Sequence, residues 1–256
     1  MKHLFCFDID GTLLDNENKG IHESVKKTLR TLKENGEKCI IATGRSLESV
    51  ASTGLLDIIE WDGLVLNNGQ VVLDREKNIL SITTIEKNAA SQFIALCQAK
   101  GLNCTVETGK DWFMLNEADE NTKRAHAFFH EILPKVRPYQ NEPIVMAMVY
   151  GDIGYDYEEF KAIAGLNVLP GVSSYADICA VGVDKVNGIH ILMKYLHMEG
   201  YVAFGDGDND IEMLRHSETG IVMGQAKDRV KVYADFITKS CREDGITYAC
   251  EQLGYL

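Results

Sequence analysis

Clusters of aspartate stand directly after short apolar segments of this 256-residue chain. The first, Asp8-Ile9-Asp10-Gly11-Thr12, follows the apolar run at residues 4–7. Side chains alternate along a strand, so Asp8 and Asp10 should point to the same side. Gly11 permits a sharp exit that lets Asp10 turn over the site. Because two carboxylates this close repel each other unless positive charge lies between them, the pair predicts a cation site, for which the oxygen-preferring Mg²⁺ is the simplest choice.

A second acidic cluster, at residues 205–210, supplies the remaining carboxylate chemistry. It lacks the glycine that a calcium-binding loop needs at its sixth position, which is Ile211 here, so magnesium at a strand end fits better. Asp206 would complete the metal site. Asp8 would then attack phosphorus to form an aspartyl-phosphate. Asp10 would protonate the leaving oxygen and afterwards activate water.

The phosphate itself needs hydrogen-bond donors and positive charge. Thr43 and Gly44 follow the apolar run at residues 39–42, and the Thr43 hydroxyl and nearby backbone N–H groups would donate to phosphate oxygens. Lys185 would supply the positive charge, just before a helix that we expect to begin near Gly188. Taken singly, the first acidic cluster fits a solvated turn, Thr43 a helix cap and Lys185 a solvated side chain. Their arrival at several strand ends favours a phosphate and magnesium site.

Strands and helices that alternate in the sequence must bring these residues together. Apolar runs at residues 4–7, 39–42 and 64–66 read as buried parallel strands, and Val25, Leu29 and Leu32 mark one face of a helix between the first two. Ligands bind at the carboxyl ends of such strands. The pattern changes near residue 84 and resumes near 183. We therefore predict a doubly wound, Rossmann-like α/β core from residues 1–83 and 183–256, with an α+β cap domain inserted at 84–182.

Within the insertion, the patterns predict helices and strands of a different style. We expect a helix around residues 89–97, strands at 104–106, 112–115 and 144–150, and a helix over 125–133 that stops at Pro134. A hairpin is expected just before the insertion, at residues 71–82. The cap should cover the site and recognise the rest of the substrate. Trp112, Phe113 or Met114 could line that cleft, although packing inside the cap is the favoured interpretation.

Composition and charge narrow the classes of partner. With 26 basic and 38 acidic residues the formal net charge is −12, which disfavours nucleic acids and anionic membranes. No apolar run reaches the roughly 20 residues that span a bilayer. The seven cysteines include no C-x-x-C pair and read as buried free thiols of a reducing compartment. We expect a cytoplasmic monomer or small homo-oligomer that acts on a small phosphorylated metabolite.

The clusters together resemble the four motifs of the haloacid dehalogenase-like hydrolases. The matching stretches are Asp8-Ile9-Asp10-Gly11-Thr12-Leu13, Ala42-Thr43-Gly44-Arg45, Lys185, and Gly205-Asp206 through Asn209-Asp210. The large insertion, Asn68-Gly69 and Met223-Gly224-Gln225-Ala226 resemble the Cof-type sugar-phosphate phosphatases of that superfamily. One departure is Asp184-Lys185-Val186, where family members often carry small residues beside the lysine.

The resemblance implies a role for each matching residue. Asp8 would be the nucleophile, Asp10 the acid and base, and Thr43 a phosphate ligand. Mg²⁺ would be held by the side chains of Asp8 and Asp206 and by the backbone carbonyl of Asp10. Asn209 would contact the substrate phosphate, and Asp210 would be auxiliary.

Hydrolysis of a phosphomonoester is the leading hypothesis, and three alternatives stay open. A phosphomutase would need a second phosphate site in the cap, for which Lys110, Lys123 and Lys135 are available. A receiver-like signalling domain would need neither an acid and base beside its acceptor aspartate nor a cap of domain size. A dehalogenase would leave Asp10 and Asp206 without a task.

Overall fold

The computed structural model describes residues 2–15, 20–108, 111–129, 131–171 and 173–256, and it divides the chain into two compact units. The first unit comprises residues 1–81 and 184–256, and the second comprises residues 82–183. Both contain helices and strands, and each has its own sheet. No helix among the described residues is long and apolar enough to cross a membrane.

The elements follow in chain order. The first segment contains β1 (Leu4–Phe7), α1 (Glu23–Glu34), β2 (Lys38–Ala42), α2 (Leu47–Ser52), β3 (Gly63–Leu66), β4 (Val71–Asp74) and β5 (Ile79–Ile82). The middle segment contains α3 (Lys87–Lys100), β6 (Cys104–Glu107), β7 (Trp112–Met114), α4 (Glu120–Phe129), β8 (Lys135–Val136), β9 (Met146–Tyr150), α5 (Glu158–Lys161), β10 (Leu166–Pro170) and β11 (Tyr175–Ala180). The last segment contains α6 (Lys185–Leu196), β12 (Val202–Gly205), α7 (Ile211–Arg215), β13 (Thr219–Val222), α8 (Asp228–Lys231), β14 (Phe236–Ile237) and α9 (Gly245–Gln252).

The sheet of the first unit has a doubly wound order. Its described strands run β14-β13-β12-β1-β2-β3-β4-β5, with parallel pairing from β14 to β3 and an antiparallel pair β3–β4. The chain winds outward from β1 to β2 and β3 on one side, and from β12 to β13 and β14 on the other. The carboxyl ends of β1 and β12 therefore lie side by side at the point where the winding reverses, which is where such sheets bind ligands. The predicted fold class is confirmed.

Both faces of this sheet are buried, as the continuous apolar runs require. Phe5 and Phe7 of β1 pack on one face with Phe204, while Leu4 and Cys6 pack on the other. All seven cysteines are buried free thiols.

Helix α6 packs on the second of these faces, and its start differs from the prediction. It begins at Lys185 instead of near Gly188. Gly188 lies inside the helix, where a Cβ would come within 2.4 Å of Val65 Cγ1 on the sheet. The glycine permits close packing of helix on strand and does not mark a helix boundary.

The second unit is an α+β layer structure of its own. Its described strands have the order β10-β11-β9-β6-β7-β8, and one face packs on α3 and α5 through side chains such as Phe93 and Phe160. Phe113 is fully buried in this core, with the guanidinium carbon of Arg137 3.4 Å from its ring centroid. Phe113 therefore packs inside the second unit, as the favoured interpretation of the sequence expected.

Two predictions within this unit need correction or qualification. The helix predicted over 125–133 spans Glu120–Phe129 instead. It begins earlier because the Asp119 carboxylate accepts the backbone N–H of Thr122 at the start of the helix. Of the lysines considered for a second phosphate site, Lys123 pairs with Glu120 at 2.8 Å and Lys135 with Asp111 at 3.2 Å. Lys110 lies outside the described residues.

Candidate active site

Three carboxylates meet at the carboxyl ends of β1 and β12. Asp8 is the first residue after β1, and its backbone N–H donates to the Phe204 carbonyl of β12 at 3.0 Å. Asp206 follows β12, and Asp210 closes the short turn before α7. One carboxylate oxygen from each of these three residues lies within 4.8 Å of the others. We call Asp8, Asp206 and Asp210 the carboxylate triad.

Lys185 enters the triad from the first turn of α6. Its side chain is 1% exposed, and its Nζ lies 2.7 Å from Oδ1 of Asp8 and 2.7 Å from Oδ1 of Asp210. The helix start that places it is fixed by a capping box, in which Asp184 and Asn187 each accept the other's backbone N–H. The sequence predicted Lys185 just before the helix, whereas the structure places it at the first position of α6, beside Asp8 and Asp210.

A turn with left-handed backbone conformation packs against Asp184, the residue before this lysine. Asn67, Asn68 and Gly69 all have positive φ, and a Cβ on Gly69 would lie 1.9 Å from the carbonyl oxygen of Asp184. Only glycine fits that contact. The turn therefore holds the residue before Lys185 in place.

Asp210 holds the loop as well as the lysine. Its Oδ2 accepts the backbone N–H groups of Asp206 and Gly207 at 3.0 and 2.9 Å, while Oδ1 accepts from Lys185. An auxiliary role was expected for Asp210, and its carboxylate is an integral part of the triad.

The electrostatics of the triad show a shortage of positive charge. Burial, reinforced by repulsion from Asp210, raises the pKa of Asp8 well above its usual range, although Lys185 opposes the shift. Burial and the same neighbour raise the pKa of Asp206 to about 7. Burial lowers the pKa of Lys185, but attraction to Asp210 and Asp8 outweighs it, and the net pKa is raised, so the lysine keeps its charge. Three carboxylates facing this ammonium suit a further cation.

The donor set and the loop shape fit a small divalent cation. Carboxylate oxygens are hard ligands of the kind that Mg²⁺ prefers. Gly11, at φ 81°, gives Asp206 its space, because a Cβ on Gly11 would lie 2.3 Å from Oδ2 of Asp206. Gln225 joins the two loops, since its Nε2 donates to the Gly11 carbonyl at 2.5 Å and to Asp206 Oδ2 at 3.2 Å.

The side chain of Asp10 has a partner of its own, Arg45. Its two carboxylate oxygens accept from Nε and Nη2 of Arg45 at 2.7 and 2.8 Å. The predicted metal ligand of Asp10 was its backbone carbonyl, so the side-chain pair leaves that prediction untouched. The sequence quoted Arg45 as part of a motif but gave no signal of its pairing, which follows only once β1 and β2 are known to be parallel neighbours.

Besides Lys185, the predicted phosphate-binding residues Thr43, Gly44 and Asn209 lie on two loops, which contact a third loop at Asn68. The Thr43 hydroxyl accepts the backbone N–H of Arg45 at 3.2 Å, and the partly buried Gly44 lies between these two residues. Asn209 donates its side-chain amide to Oδ1 of Asn68 at 3.0 Å. Asn68 also donates its backbone N–H to the Thr43 carbonyl at 3.0 Å, so it links the Thr43 and Asn209 loops. Asn68 and Gln225 belong to motifs of the sequence, but no sequence pattern predicts these contacts.

Comparison with known proteins agrees with this geometry. The family model of haloacid dehalogenase-like hydrolases matches residues 5–250. YkrA of Bacillus subtilis is 29% identical over 99% of this chain and 98% of its own length. The 5-amino-6-(5-phospho-D-ribitylamino)uracil phosphatase YcsE of the same bacterium is 26% identical, over 96% of this chain and 93% of its own.

Solved structures give the same result over the whole chain. A haloacid dehalogenase subclass IIB sugar phosphatase is 27% identical, with a TM-score of 0.90 and 100% of both chains covered. A structure from a study of trigonal-bipyramidal intermediates in a phosphoryl-transfer superfamily is also 27% identical, with a TM-score of 0.92 and 100% coverage of both chains. The chain therefore belongs to the haloacid dehalogenase-like hydrolases, as a phosphatase of the Cof-type, subclass IIB branch.

Proposed function

We propose that this phosphatase hydrolyses small phosphomonoesters, such as sugar phosphates, through an aspartyl-phosphate on Asp8 with Mg²⁺ as cofactor. The observation that carries the proposal is the carboxylate triad around Lys185, with Nζ 2.7 Å from Asp8. Two similar proteins support the substrate class, since one acts on a phosphorylated ribityl compound and the other is a sugar phosphatase.

In the first half-reaction, Asp8 is the nucleophile. One of its carboxylate oxygens attacks phosphorus while the bond to the leaving oxygen breaks, and Asp10 gives its proton to that oxygen. Lys185 offsets the negative charge of the nucleophile and the incoming phosphate. The hydroxyl of Thr43, the backbone of Gly44 and the amide of Asn209 bind the phosphate oxygens and fix its orientation.

In the second half-reaction, water attacks the phosphorus of the aspartyl-phosphate. Asp10, now a carboxylate, takes a proton from this water as the bond from phosphorus to Asp8 breaks. Phosphate leaves, Asp8 is again a carboxylate and Asp10 is again protonated, so the cycle closes.

The magnesium ion would be held by the side chains of Asp8 and Asp206 and by the backbone carbonyl of Asp10. When bound, it supplies the positive charge that neutralises both the nucleophile and the phosphate. Asp210 keeps the Asp206 loop in place through its two backbone hydrogen bonds.

We assign these roles to a core domain of residues 1–83 and 183–256, and we propose that a cap domain of residues 84–182 recognises the part of the substrate beyond its phosphate. The buried free thiols suit a reducing cytoplasm, where we expect a monomer or small homo-oligomer.

The test is the Asp8→Asn variant, assayed with p-nitrophenyl phosphate and Mg²⁺. We expect the turnover rate to fall by at least about 10³-fold, because an amide cannot form the acyl phosphate. Asp208→Asn is the matched control, since Asp208 stands in the second acidic loop but pairs outward with Arg229. Unchanged turnover in Asp8→Asn would remove Asp8 as the nucleophile.

A further inference from the structure

The pair between Arg45 and Asp10 is built into the site and is not a loose surface contact. The guanidinium uses two of its N–H donors on the two oxygens of one carboxylate, at 2.7 and 2.8 Å. The Arg45 side chain is 5% exposed, whereas that of Asp10 is 23% exposed. The arginine is therefore the enclosed partner, and the carboxylate stands at the edge where it can meet a ligand.

The arginine is held in position by its own partners. Its Nη1 donates to Oγ of Ser49 in the first turn of α2, at 2.9 Å. Its backbone N–H donates to the Thr43 hydroxyl, and its carbonyl accepts the backbone N–H of Asn67 at 3.1 Å. A planar guanidinium with several N–H donors in a fixed fork loses little freedom when it is held this way. It can therefore fix the direction of the Asp10 carboxylate, which directly precedes the turn at Gly11.

We propose that Arg45 is the positioning residue that holds Asp10 for both of its proton transfers. The inference rests on the proposed function, in which Asp10 is the acid and base. Arg45 contacts neither the nucleophile nor the leaving group in this scheme. Its task is to aim the carboxyl group of Asp10.

The grip is compatible with the chemistry. Each carboxylate oxygen has more than one lone pair, so it can accept a guanidinium N–H and still exchange a proton. In the first step the proton passes from Asp10 to the leaving oxygen as the P–O bond breaks. In the second it passes from water to Asp10 as water bonds to phosphorus and the P–O bond to Asp8 breaks. A misplaced carboxyl group would slow both transfers, and a displacement of about 1 Å can cost on the order of 10²-fold in rate.

The test uses Arg45→Lys, which keeps the positive charge but loses the fork. Its kcat/KM is measured with p-nitrophenyl phosphate and with phenyl phosphate, because kcat/KM reports the steps up to formation of the phosphoenzyme. The two esters have similar shape, but phenolate is the more basic leaving group and depends more on the acid. We expect kcat/KM to fall about 10- to 100-fold more for phenyl phosphate than for p-nitrophenyl phosphate.

A second readout follows the water-activating step. With p-nitrophenyl phosphate, Arg45→Lys should release a burst of p-nitrophenol close to one per enzyme molecule, followed by slow turnover, because the phosphoenzyme accumulates. Ser49→Ala, which removes a partner of Arg45 without touching Asp10, should show both effects in weaker form. Arg229→Lys is the matched control, since Arg229 also grips an aspartate, Asp208, with two N–H donors but lies on the surface. It should behave as wild type.

The outcomes separate this inference from the proposed function. An equal loss of kcat/KM for both esters, without a burst, would mean that Arg45 serves binding or folding, and the inference would be overturned. Asp10→Asn is measured beside it. If Asp10→Asn shows the leaving-group dependence and Arg45→Lys does not, the positioning role alone is wrong. If Asp10→Asn lacks that dependence, the acid and base assignment itself is wrong.

Discussion

The carboxylates of Asp8 and Asp10 stand two positions apart but have different partners. The Asp8 carboxylate meets Lys185, and the Asp10 carboxylate meets Arg45. The alternation of a strand predicts that both point to one side, and it cannot predict this division because both cations come from other elements. This arrangement suits the proposed chemistry, because the nucleophile and the acid and base each have a separate cationic partner.

Gly11 is where the geometry of the first loop can be tested most directly. In Gly11→Ala, the new Cβ would lie 2.3 Å from Asp206 Oδ2 at a backbone φ of 81°, so the carboxylate or the loop must move. We expect at least a 10-fold loss of kcat with p-nitrophenyl phosphate, and a higher Mg²⁺ concentration for half-maximal activity, because an affected metal ligand weakens both.

Gly54→Ala is the matched control for this prediction. Gly54 has a similar φ of 74°, but no atom lies within 4 Å of its would-be Cβ. It should lose about 1 kcal/mol of stability from backbone strain, with kcat and magnesium dependence unchanged. If both alanine variants lost activity equally, strain and not the contact with Asp206 would be the cause.

At the scale of elements, the start of α6 decides where Lys185 stands. Asp184→Ala removes the side-chain oxygen that accepts the Asn187 N–H at 3.0 Å. We expect a loss of about 1 kcal/mol in the free energy of unfolding. We also expect kcat/KM to fall by about 10-fold, because fraying of this turn displaces the lysine from Asp8 and Asp210.

Helix α3, which belongs to the second unit, has a cap of the same kind. Glu86 accepts the backbone N–H of Ala89 at 3.1 Å, and Glu86→Ala should cost a similar free energy of unfolding without changing kcat/KM for p-nitrophenyl phosphate. Thermal melts and steady-state kinetics of the two variants give the comparison. Equal kinetic losses would show that cap loss acts through general stability.

Helix α6 and its surroundings show what the sequence could and could not predict. The strands before the acidic clusters were predictable because buried parallel strands are continuous apolar runs. The start of α6 was not, because Gly188 resembles a helix breaker until the sheet beneath it is known. The Asn67–Gly69 turn was equally hidden, since the need for positive φ arises from its contact with Asp184.

At the scale of the whole molecule, the fold brings together residues that are far apart in the chain. Lys185 and Asp8 are separated by 177 positions, and a segment of domain size lies between them. Residue types and order predicted that they meet, because doubly wound sheets collect strand ends at one place. The pairing of Arg45 with Asp10 depends on side-chain packing and had no comparable signal.

The assembled triad should destabilise the metal-free protein. The pKa of Asp206 is raised to about 7 from a usual value near 3.8, so the folded state binds a proton there more tightly than the unfolded state does. This stabilising term is fully present below pH 3.8 and is lost as pH rises to about 7, where the buried carboxylate ionises. Above pH 7 the metal-free fold therefore carries the full cost of that charge.

Asp206→Asn should consequently be more stable than wild type without a divalent cation. At pH 8 in EDTA we expect its free energy of unfolding to be higher by on the order of 2 kcal/mol. Partial solvent access screens the Asp206 charge, so the difference is smaller than the full pKa shift would give. The gap should close as pH falls toward 4, because wild-type Asp206 then becomes neutral as well.

Adding Mg²⁺ at 100 times its Kd should raise the free energy of unfolding of wild type by about 2.7 kcal/mol and therefore raise its Tm. The stability of Asp206→Asn should remain nearly unchanged. Asp208→Asn, whose parent carboxylate pairs with Arg229, should respond to Mg²⁺ as wild type does. Differential scanning calorimetry at pH 8 and pH 4, with and without Mg²⁺, measures all of these quantities. A less stable Asp206→Asn in EDTA would show that the triad stabilises the fold by itself, and the shortage of positive charge inferred from its geometry would be wrong.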